Sequence, residues 1–157
     1  MVKRRELKQV HENFVLQQFS LYTERLGGTL KILRKPDPPD AIVEINGQKK
    51  WIEITDAFLD DDHAIGLTSG ASEDIRHISD SGRFFIDPDV KFSEVLHSVI
   101  SKKYDKKTIR STCRALGAGI LLVGVFTPFS LAREIAQSES ESIANLVSTK
   151  SDKVFDK

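Results

Sequence analysis

The dipeptide Asn46-Gly47 constrains the fold of this chain more than any other feature of its sequence. It lies between two β-prone segments, residues 41–45 and 50–55, and Asn-Gly is a preferred sequence for a two-residue hairpin turn. A turn of this length fixes the register of the two strands, because each step away from it pairs the next residue on either side. We therefore predict an antiparallel hairpin in which Ile45 lies opposite Gln48.

The predicted register brings two carboxylates together. Continued outward, it places Asp40 opposite Glu53, where Cβ atoms are about 4.5–5.5 Å apart and like charges are destabilising unless compensated. A divalent cation would compensate them, since Mg²⁺ is typically held by one or two carboxylates together with water and phosphate oxygens. The hairpin thus predicts half of a site for phosphodiester chemistry. The alternative stays open that Asp40 is a turn residue after two prolines and Glu53 an exposed strand residue.

The segment before the hairpin predicts a helix followed by a strand. Residues 5–26 carry apolar side chains three, four or seven positions apart and stop at Gly27-Gly28, the pattern of an amphipathic helix. His11, near the middle of the apolar face, is interpreted as a core or interface histidine. Residues 29–33 alternate in polarity before a proline-rich loop, which is typical of a strand. The expected buried face of the helix consists of Leu7, Val10, Phe14 and Leu21.

The segment after the hairpin predicts two helices separated by a strand. Ser93 is expected to cap a helix that continues to Leu116. Residues 119–126 are apolar without alternation, as in a central strand covered on both faces. A third helix is expected from Pro128 through Leu146, followed by a polar tail. The second helix carries a sheet-facing stripe that consists of Leu96, Val99, Ile100 and Lys103.

Residues 56–92 interrupt this order and are interpreted as an insertion within the domain. Residues 60–63 (Asp-Asp-Asp-His) offer side chains that bind metals. They lack the alternating spacing and the distal glutamate of a calcium loop, so an acidic solvated loop is favoured. The resulting order is helix, three strands, helix, strand and helix, in one α/β domain.

Composition narrows the function classes. With 157 residues, of which 39% are hydrophobic, the chain is long enough for one domain with one core. A formal net charge of zero argues against a sequence-blind basic nucleic-acid binder, so any affinity for phosphate must be local. The single cysteine, Cys113, excludes an internal disulfide and favours the reducing cytoplasm. No apolar run approaches the roughly 20 residues of a membrane-spanning helix, so no membrane partner is expected.

Pro39-Asp40, followed by residues 53–55 (Glu-Ile-Thr), resembles the motif of the PD-(D/E)xK nuclease superfamily. The predicted element order is also similar to the αβββαβ core of that superfamily's restriction-endonuclease-like fold. The resemblance implies a mixed central sheet flanked by helices. It implies Asp40 and Glu53 as ligands of Mg²⁺ or Mn²⁺, with the carbonyl of Ile54 as a third ligand. It also implies hydrolysis of nucleic acid, with DNA the first candidate, by an endonuclease or an exonuclease.

This chain departs from the family pattern at Thr55, where the family has the lysine that activates water or stabilises charge. Threonine supplies no cation, but some members are recognised with the lysine relocated to the following helix. Lys103 continues the sheet-facing stripe of that helix and is expected to take the role, with Lys107 as second candidate and Thr55 as support. A glutamate of the first helix often joins the site in this family, which makes Glu12 and Glu6 lower-ranked candidates.

A basic run in the second helix offers contacts to a nucleic-acid backbone. The alternative is a solvated helix end, where cations are favoured in any case. Two other functions stay open: a catalytically lapsed nuclease-fold domain that binds nucleic acid or a protein partner, and a plain structural domain. The sequence also leaves a homodimer open. The candidate phosphate contacts are Lys102, Lys106, Arg110 and Arg114.

Overall fold

The computed structural model describes residues 4–58, 88–125, 137 and 139–155, and in them the chain is an α/β protein. Its strands form one mixed open sheet in the order β1-β2-β3-β4, antiparallel except for the parallel pair β3 and β4. The predicted α/β class with a mixed, helix-flanked sheet is confirmed. None of the described helices is long and apolar enough to cross a membrane. The elements are α1 (Arg4–Arg25), β1 (Leu30–Arg34), β2 (Ala41–Ile45), β3 (Gln48–Ala57), α2 (Pro88–Asp105), α3 (Lys107–Leu116), β4 (Ile120–Val125) and α4 (Ser140–Phe155).

The hairpin of β2 and β3 has the predicted turn and register. Asn46 and Gly47 both adopt positive φ, at 50° and 78°, as a type I′ turn requires. Five consecutive pairs, from Ile45 with Gln48 outward, match the prediction. The side-chain oxygen of Asn46 also accepts a hydrogen bond from the N–H of Thr29 at 2.8 Å, which ties the turn to the chain entering β1.

Helices pack on both faces of the sheet. On one face, α1 contributes Leu16 to a core cluster with Ala41, Val43, Ile52 and Ile54. On the other face, α2 buries two of the predicted stripe residues, Leu96 and Ile100, against Ala57. A third cluster on that face joins α3 to the sheet and consists of Trp51, Ile109 and Cys113. Successive residues of β3 therefore pack alternately into the cluster on the α1 face and into the clusters on the opposite face, as alternation along a strand requires.

The predicted buried face of α1 is wrong. Val10, Phe14 and Leu21 are 60%, 57% and 41% exposed, whereas Leu16 is 1% exposed, and Leu7 is half-buried. The buried stripe also includes Thr23, whose hydroxyl donates to the carbonyl of Phe19 at 2.8 Å. A threonine whose hydroxyl is hydrogen-bonded within its own helix can be buried at little cost in free energy. A prediction based only on apolar side chains therefore selects the wrong face of α1.

The predicted single helix from Ser93 to Leu116 is two helices. Helix α2 begins at Pro88, a residue that suits a first helical turn, and Ser93 lies inside it. The chain breaks at Lys106, whose backbone is extended with φ −67° and ψ 131°. The Nε of Arg110 donates to the carbonyl of Tyr104 at 3.3 Å and so satisfies one terminal acceptor of α2. The break turns α3 so that its buried residues reach Trp51.

The C-terminal elements differ from prediction in two respects. Among the described strands β4 is outermost beside β3, although it was expected to be central. Its residues nevertheless pack into the clusters on both faces of the sheet. Helix α4 continues to Phe155, so it includes most of the segment after Leu146 that was predicted to be a polar tail. The expected start of this helix near Pro128, and most of the insertion including residues 60–63, lie outside the described residues.

Replacement of Leu16 by alanine is expected to lower the free energy of unfolding by about 2–5 kcal/mol, because a fully buried leucine leaves a cavity. Phe14→Ala, on the face that hydrophobic spacing predicts to be buried, is expected to change it by no more than about 0.5 kcal/mol. Urea unfolding followed by circular dichroism measures both values. A larger loss for Phe14→Ala than for Leu16→Ala would contradict the placement of α1.

Candidate active site

Asp40 ends the antiparallel pairing of β2 with β3. The last regular pair joins Ala41 with Ile52, so the predicted direct pairing of Asp40 with Glu53 does not form. Instead, Oδ2 of Asp40 accepts a hydrogen bond from the backbone N–H of Ile54 at 2.7 Å. Asp40 and Glu53 are both buried, each with 8% of its surface exposed. The Asp40 carboxylate therefore replaces a strand carbonyl at the point where β2 begins.

The proline-rich loop before Asp40 explains this ending. Hydrogen-bonded pairs alternate outward from a two-residue turn, which makes residue 39 the partner of Ile54 in a continued ladder. Pro39 has no N–H to donate, and its carbonyl accepts a hydrogen bond from the N–H of Asp37 at 2.9 Å. The N–H and the carbonyl of Ile54 are consequently left for side chains.

Lys103 supplies a cation at this position. Its Nζ donates to Oε1 of Glu53 at 2.6 Å and to the carbonyl oxygen of Ile54 at 3.1 Å. Leu96 and Ile100, seven and three residues earlier on α2, are buried against the sheet, so helical spacing directs Lys103 to the same side. The structure thus brings together the predicted lysine, the predicted glutamate and the predicted backbone carbonyl.

The second oxygen of Glu53 has an unusual environment. Oε2 is buried and has no hydrogen-bond partner within the part of the chain that the structure describes. An unsatisfied buried polar atom costs about 1–3 kcal/mol, and more when it is charged, so a cation or a donor bound there would be stabilised. Oδ1 of Asp40 and the carbonyl of Ile54 would complete an oxygen-only set of the kind that Mg²⁺ and Mn²⁺ prefer.

The part of the chain that the structure describes contains no larger cluster of metal-binding side chains. Among the described residues, no group of three or more His, Cys, Asp or Glu side chains is placed to hold an ion. Mg²⁺ typically needs only one or two carboxylates from the protein. Two carboxylates, those of Asp40 and Glu53, are therefore sufficient in number and kind for such an ion, with water or phosphate as the remaining ligands.

The first half of α1 adds a polar network next to Asp40. Nζ of Lys8 lies 3.3 Å from Oε1 of Glu12 and 3.5 Å from Oδ2 of Asp37. Partial burial lowers the pKa of Lys8, but the hydrogen bond to Glu12 and the charges of Glu12, Asp37 and Asp40 outweigh it and raise this pKa above its ordinary value. Glu12 thus reaches the site region through Lys8, while Glu6 is exposed. Sequence reasoning missed Lys8, although its four-residue spacing from Glu12 is typical of a helical ion pair.

His11 and Asp56 form a second polar contact between α1 and β3. Nε2 of His11 lies 3.0 Å from Oδ1 of Asp56, which agrees with the interpretation of His11 as an interface histidine. Asp56 was missed because β3 extends two residues into the segment that was interpreted as an insertion. Alternation with Ile54 places Asp56 on the α1 face of the sheet, opposite to the face of Glu53.

The other predicted residues lie around this cluster. Thr55 is half-buried in β3 and shares a strand face with Glu53. Arg110 contacts Asp105 at 3.3 Å; the hydrogen bond from Lys150, with the charges of Lys150 and Arg110, lowers the pKa of Asp105. Arg110 therefore already joins α3 to the end of α2. Lys107 is not one turn beyond Lys103, because the helix break intervenes. All the predicted basic residues other than Lys103 are exposed, namely Lys102, Lys106, Lys107, Arg110 and Arg114.

Comparison with known proteins assigns no family to the chain. No family model matches it, and neither a curated protein nor a solved structure matches it at a significant level. The function must therefore be inferred from the residues and contacts described above.

Removal of the Asp40 carboxylate is expected to destabilise the fold. Asp40→Ala leaves the N–H of Ile54 buried without an acceptor, which should cost about 1–3 kcal/mol of unfolding free energy. Asp40→Asn keeps an acceptor oxygen and should recover at least half of that loss. Chemical denaturation in EDTA measures both variants without any contribution from bound metal. Wild-type stability for Asp40→Ala would show that this hydrogen bond does not hold the end of β2.

Proposed function

We propose that this protein is a Mg²⁺- or Mn²⁺-dependent phosphodiesterase that acts on nucleic acid, with DNA as the first candidate substrate and a restriction-endonuclease-like core. The observation that carries the proposal is the unpartnered, buried Oε2 of Glu53, in the residue next to Ile54, whose N–H binds the carboxylate of Asp40. These residues belong to β3 and to the position immediately before β2, at the end of the hairpin far from its turn. Their arrangement suits a cation that also binds a phosphate group.

Three residues would hold the ion: Asp40 through Oδ1, Glu53 through Oε2 and Ile54 through its carbonyl oxygen. When bound, the ion supplies Lewis-acid polarisation of the phosphoryl oxygen and a lowered pKa for a coordinated water. The protein's own contribution is rigidity. Asp40 is fixed by its bond to the N–H of Ile54, and Glu53 lies in a strand paired on both sides, so neither acid must reorganise on binding.

Lys103 would supply the positive charge that the family motif has two residues after the glutamate. Thr55 occupies that position in this chain and carries no charge. The Nζ of Lys103 already lies 2.6 Å from Glu53, close enough for an ammonium group to stabilise the negative charge of an attacked phosphate. This proximity supports the relocation of the lysine from the strand to α2.

Exposed cations on α2, on α3 and at the break between them would contact the nucleic-acid backbone. With a net charge of zero, affinity has to come from a local patch and should fall as salt rises. Arg110, which the sequence also suggested, is left out because it already binds Asp105. A cytoplasmic location belongs to the same proposal, since the buried Cys113 is a free thiol. The proposed backbone contacts are Lys102, Lys106, Lys107 and Arg114.

A second candidate function is a nuclease-fold domain that has lost catalysis and only binds nucleic acid or a protein. One observation favours it: Lys103 donates to the Ile54 carbonyl, which would bind the ion, and to Oε1 of Glu53, the other oxygen of the carboxylate that would bind it. An ammonium group there satisfies part of the site without a metal. This candidate predicts salt-dependent binding that survives removal of both acids.

The nuclease proposal predicts cleavage of single- or double-stranded DNA that requires Mg²⁺ or Mn²⁺ and stops in EDTA. Asp40→Asn and Glu53→Gln should reduce cleavage to background, because each removes an anionic ligand with little change of shape. Lys103→Met should reduce the rate by about 10²-fold or more. Lys49→Met removes the same charge from an exposed position near the hairpin turn and should leave the rate unchanged.

Gel or fluorescence assays with labelled DNA, run beside unfolding curves for each variant, separate lost catalysis from lost folding. Cleavage that persists in both acid variants would reject the assigned site. Binding without cleavage in the wild type, unaffected by the acid variants, would favour the second candidate function.

A further inference from the structure

We propose that Lys103 is a built-in competitor of the divalent cation, so that metal binds only when the ammonium group leaves Glu53 and Ile54. The inference rests on the proposed function, because it concerns the same acids. It adds a regulatory property: the lysine sets the cation concentration above which the site can be loaded.

The first step is the identity of the contacted atoms. Nζ of Lys103 donates to Oε1 of Glu53 and to the carbonyl oxygen of Ile54. Glu53 and Ile54 are two of the three residues that fit a divalent ion, and Lys103 contacts both at once. The remaining carboxylate oxygen, Oε2 of Glu53, is buried without a partner. The ammonium group therefore balances the charge of this glutamate but binds only one of its two carboxylate oxygens.

The second step is electrostatic. Glu53 and Lys103 have side chains only 11% and 14% exposed, so water screens a charge between them weakly. A divalent cation bound to Glu53 Oε2 and to the Ile54 carbonyl would lie within a few ångströms of the ammonium nitrogen. Two positive charges at such a distance repel strongly in a partly buried site. Loading the metal therefore requires the ammonium group to move.

The third step is space for that movement. A cavity of about 210 Å³ adjoins the pair, and its walls include Lys103, Glu53, Trp51 and Tyr104. The four-carbon stem of a lysine is flexible enough to swing its end group away. Most of the other walls are apolar, among them Ile109, Leu121 and Val147, so a charged group gains little by entering. The cavity thus has room for the displaced ammonium group, but moving the charge there costs free energy. This cost weakens metal binding.

The test measures Mn²⁺ affinity directly, by calorimetric titration and by the loss of the free-ion EPR signal. Lys103→Met and Lys103→Gln should bind Mn²⁺ roughly tenfold or more tightly than the wild type, because the competing charge is gone. Lys103→Gln keeps donors for Glu53 and Ile54 and guards against a folding defect in Lys103→Met. Both variants should also show a larger rise in melting temperature on adding Mn²⁺ than the wild type shows.

Lys102→Met is the matched control. It removes one positive charge from the adjacent, exposed position of the same helix. If Mn²⁺ affinity rises only in the Lys103 variants, the cause is direct competition by this ammonium group and not the loss of one positive charge from the protein. For this control we expect a change in Mn²⁺ affinity of no more than about twofold, since exposed charges are screened by salt.

The possible results divide as follows. Tighter binding in the Lys103 variants, or binding in them when the wild type binds none, supports the competition. Equal or weaker binding in both variants overturns it, and if Glu53→Gln still abolishes binding, the proposed metal site itself survives. Absence of Mn²⁺ binding from every variant overturns both the competition and the proposed function.

Discussion

The hydrogen bond between the Asp40 carboxylate and the N–H of Ile54 is the constraint on which the candidate site depends. It takes the place of the strand pairing that Pro39 cannot provide, since proline has no N–H. The antiparallel ladder therefore stops without leaving the N–H of Ile54 unsatisfied. Because strand pairing ends here, the carbonyl of Ile54 is also left unpaired with β2, and Lys103 donates a hydrogen bond to it. The end of the strand pairing thus accounts both for the ordered Asp40 carboxylate and for the side-chain contact to the Ile54 carbonyl.

Burial of Glu53 gives α2 a second role beyond filling the core. A carboxylate removed from water requires a compensating charge, and Lys103 provides it across the space between helix and sheet. The apolar contacts of Leu96 and Ile100 hold the helix in the rotation that makes this possible. The apolar contacts of α2 thus position a buried ion pair, Lys103 with Glu53, although burial of either charge alone would be unfavourable. In the proposed metal site, this pair would set how strongly a cation has to compete for the glutamate.

How much the sequence predicts depends on whether a feature is local. The type I′ turn, the five-pair register and the stripe leading to Lys103 follow from neighbouring residues and are found as expected. The face of α1 is not local: Leu16 and Thr23 are buried, while Lys8 and His11 contact acids of the loop and of β3. Apolar spacing within a helix carries no information about such polar partners elsewhere in the chain.

The sequence by itself determined the hairpin and its register, the order of the four strands with a helix before β1 and helical chain before β4, and the sheet-facing stripe that ends at Lys103. These features depend on turn geometry and on the periods of helix and strand. Only the tertiary structure decided that regular pairing ends at Ala41, so that Asp40 binds the backbone N–H of Ile54, and that the chain breaks at Lys106. Both outcomes depend on which distant group is present to satisfy a buried donor, acceptor or charge, and only packing brings those groups together.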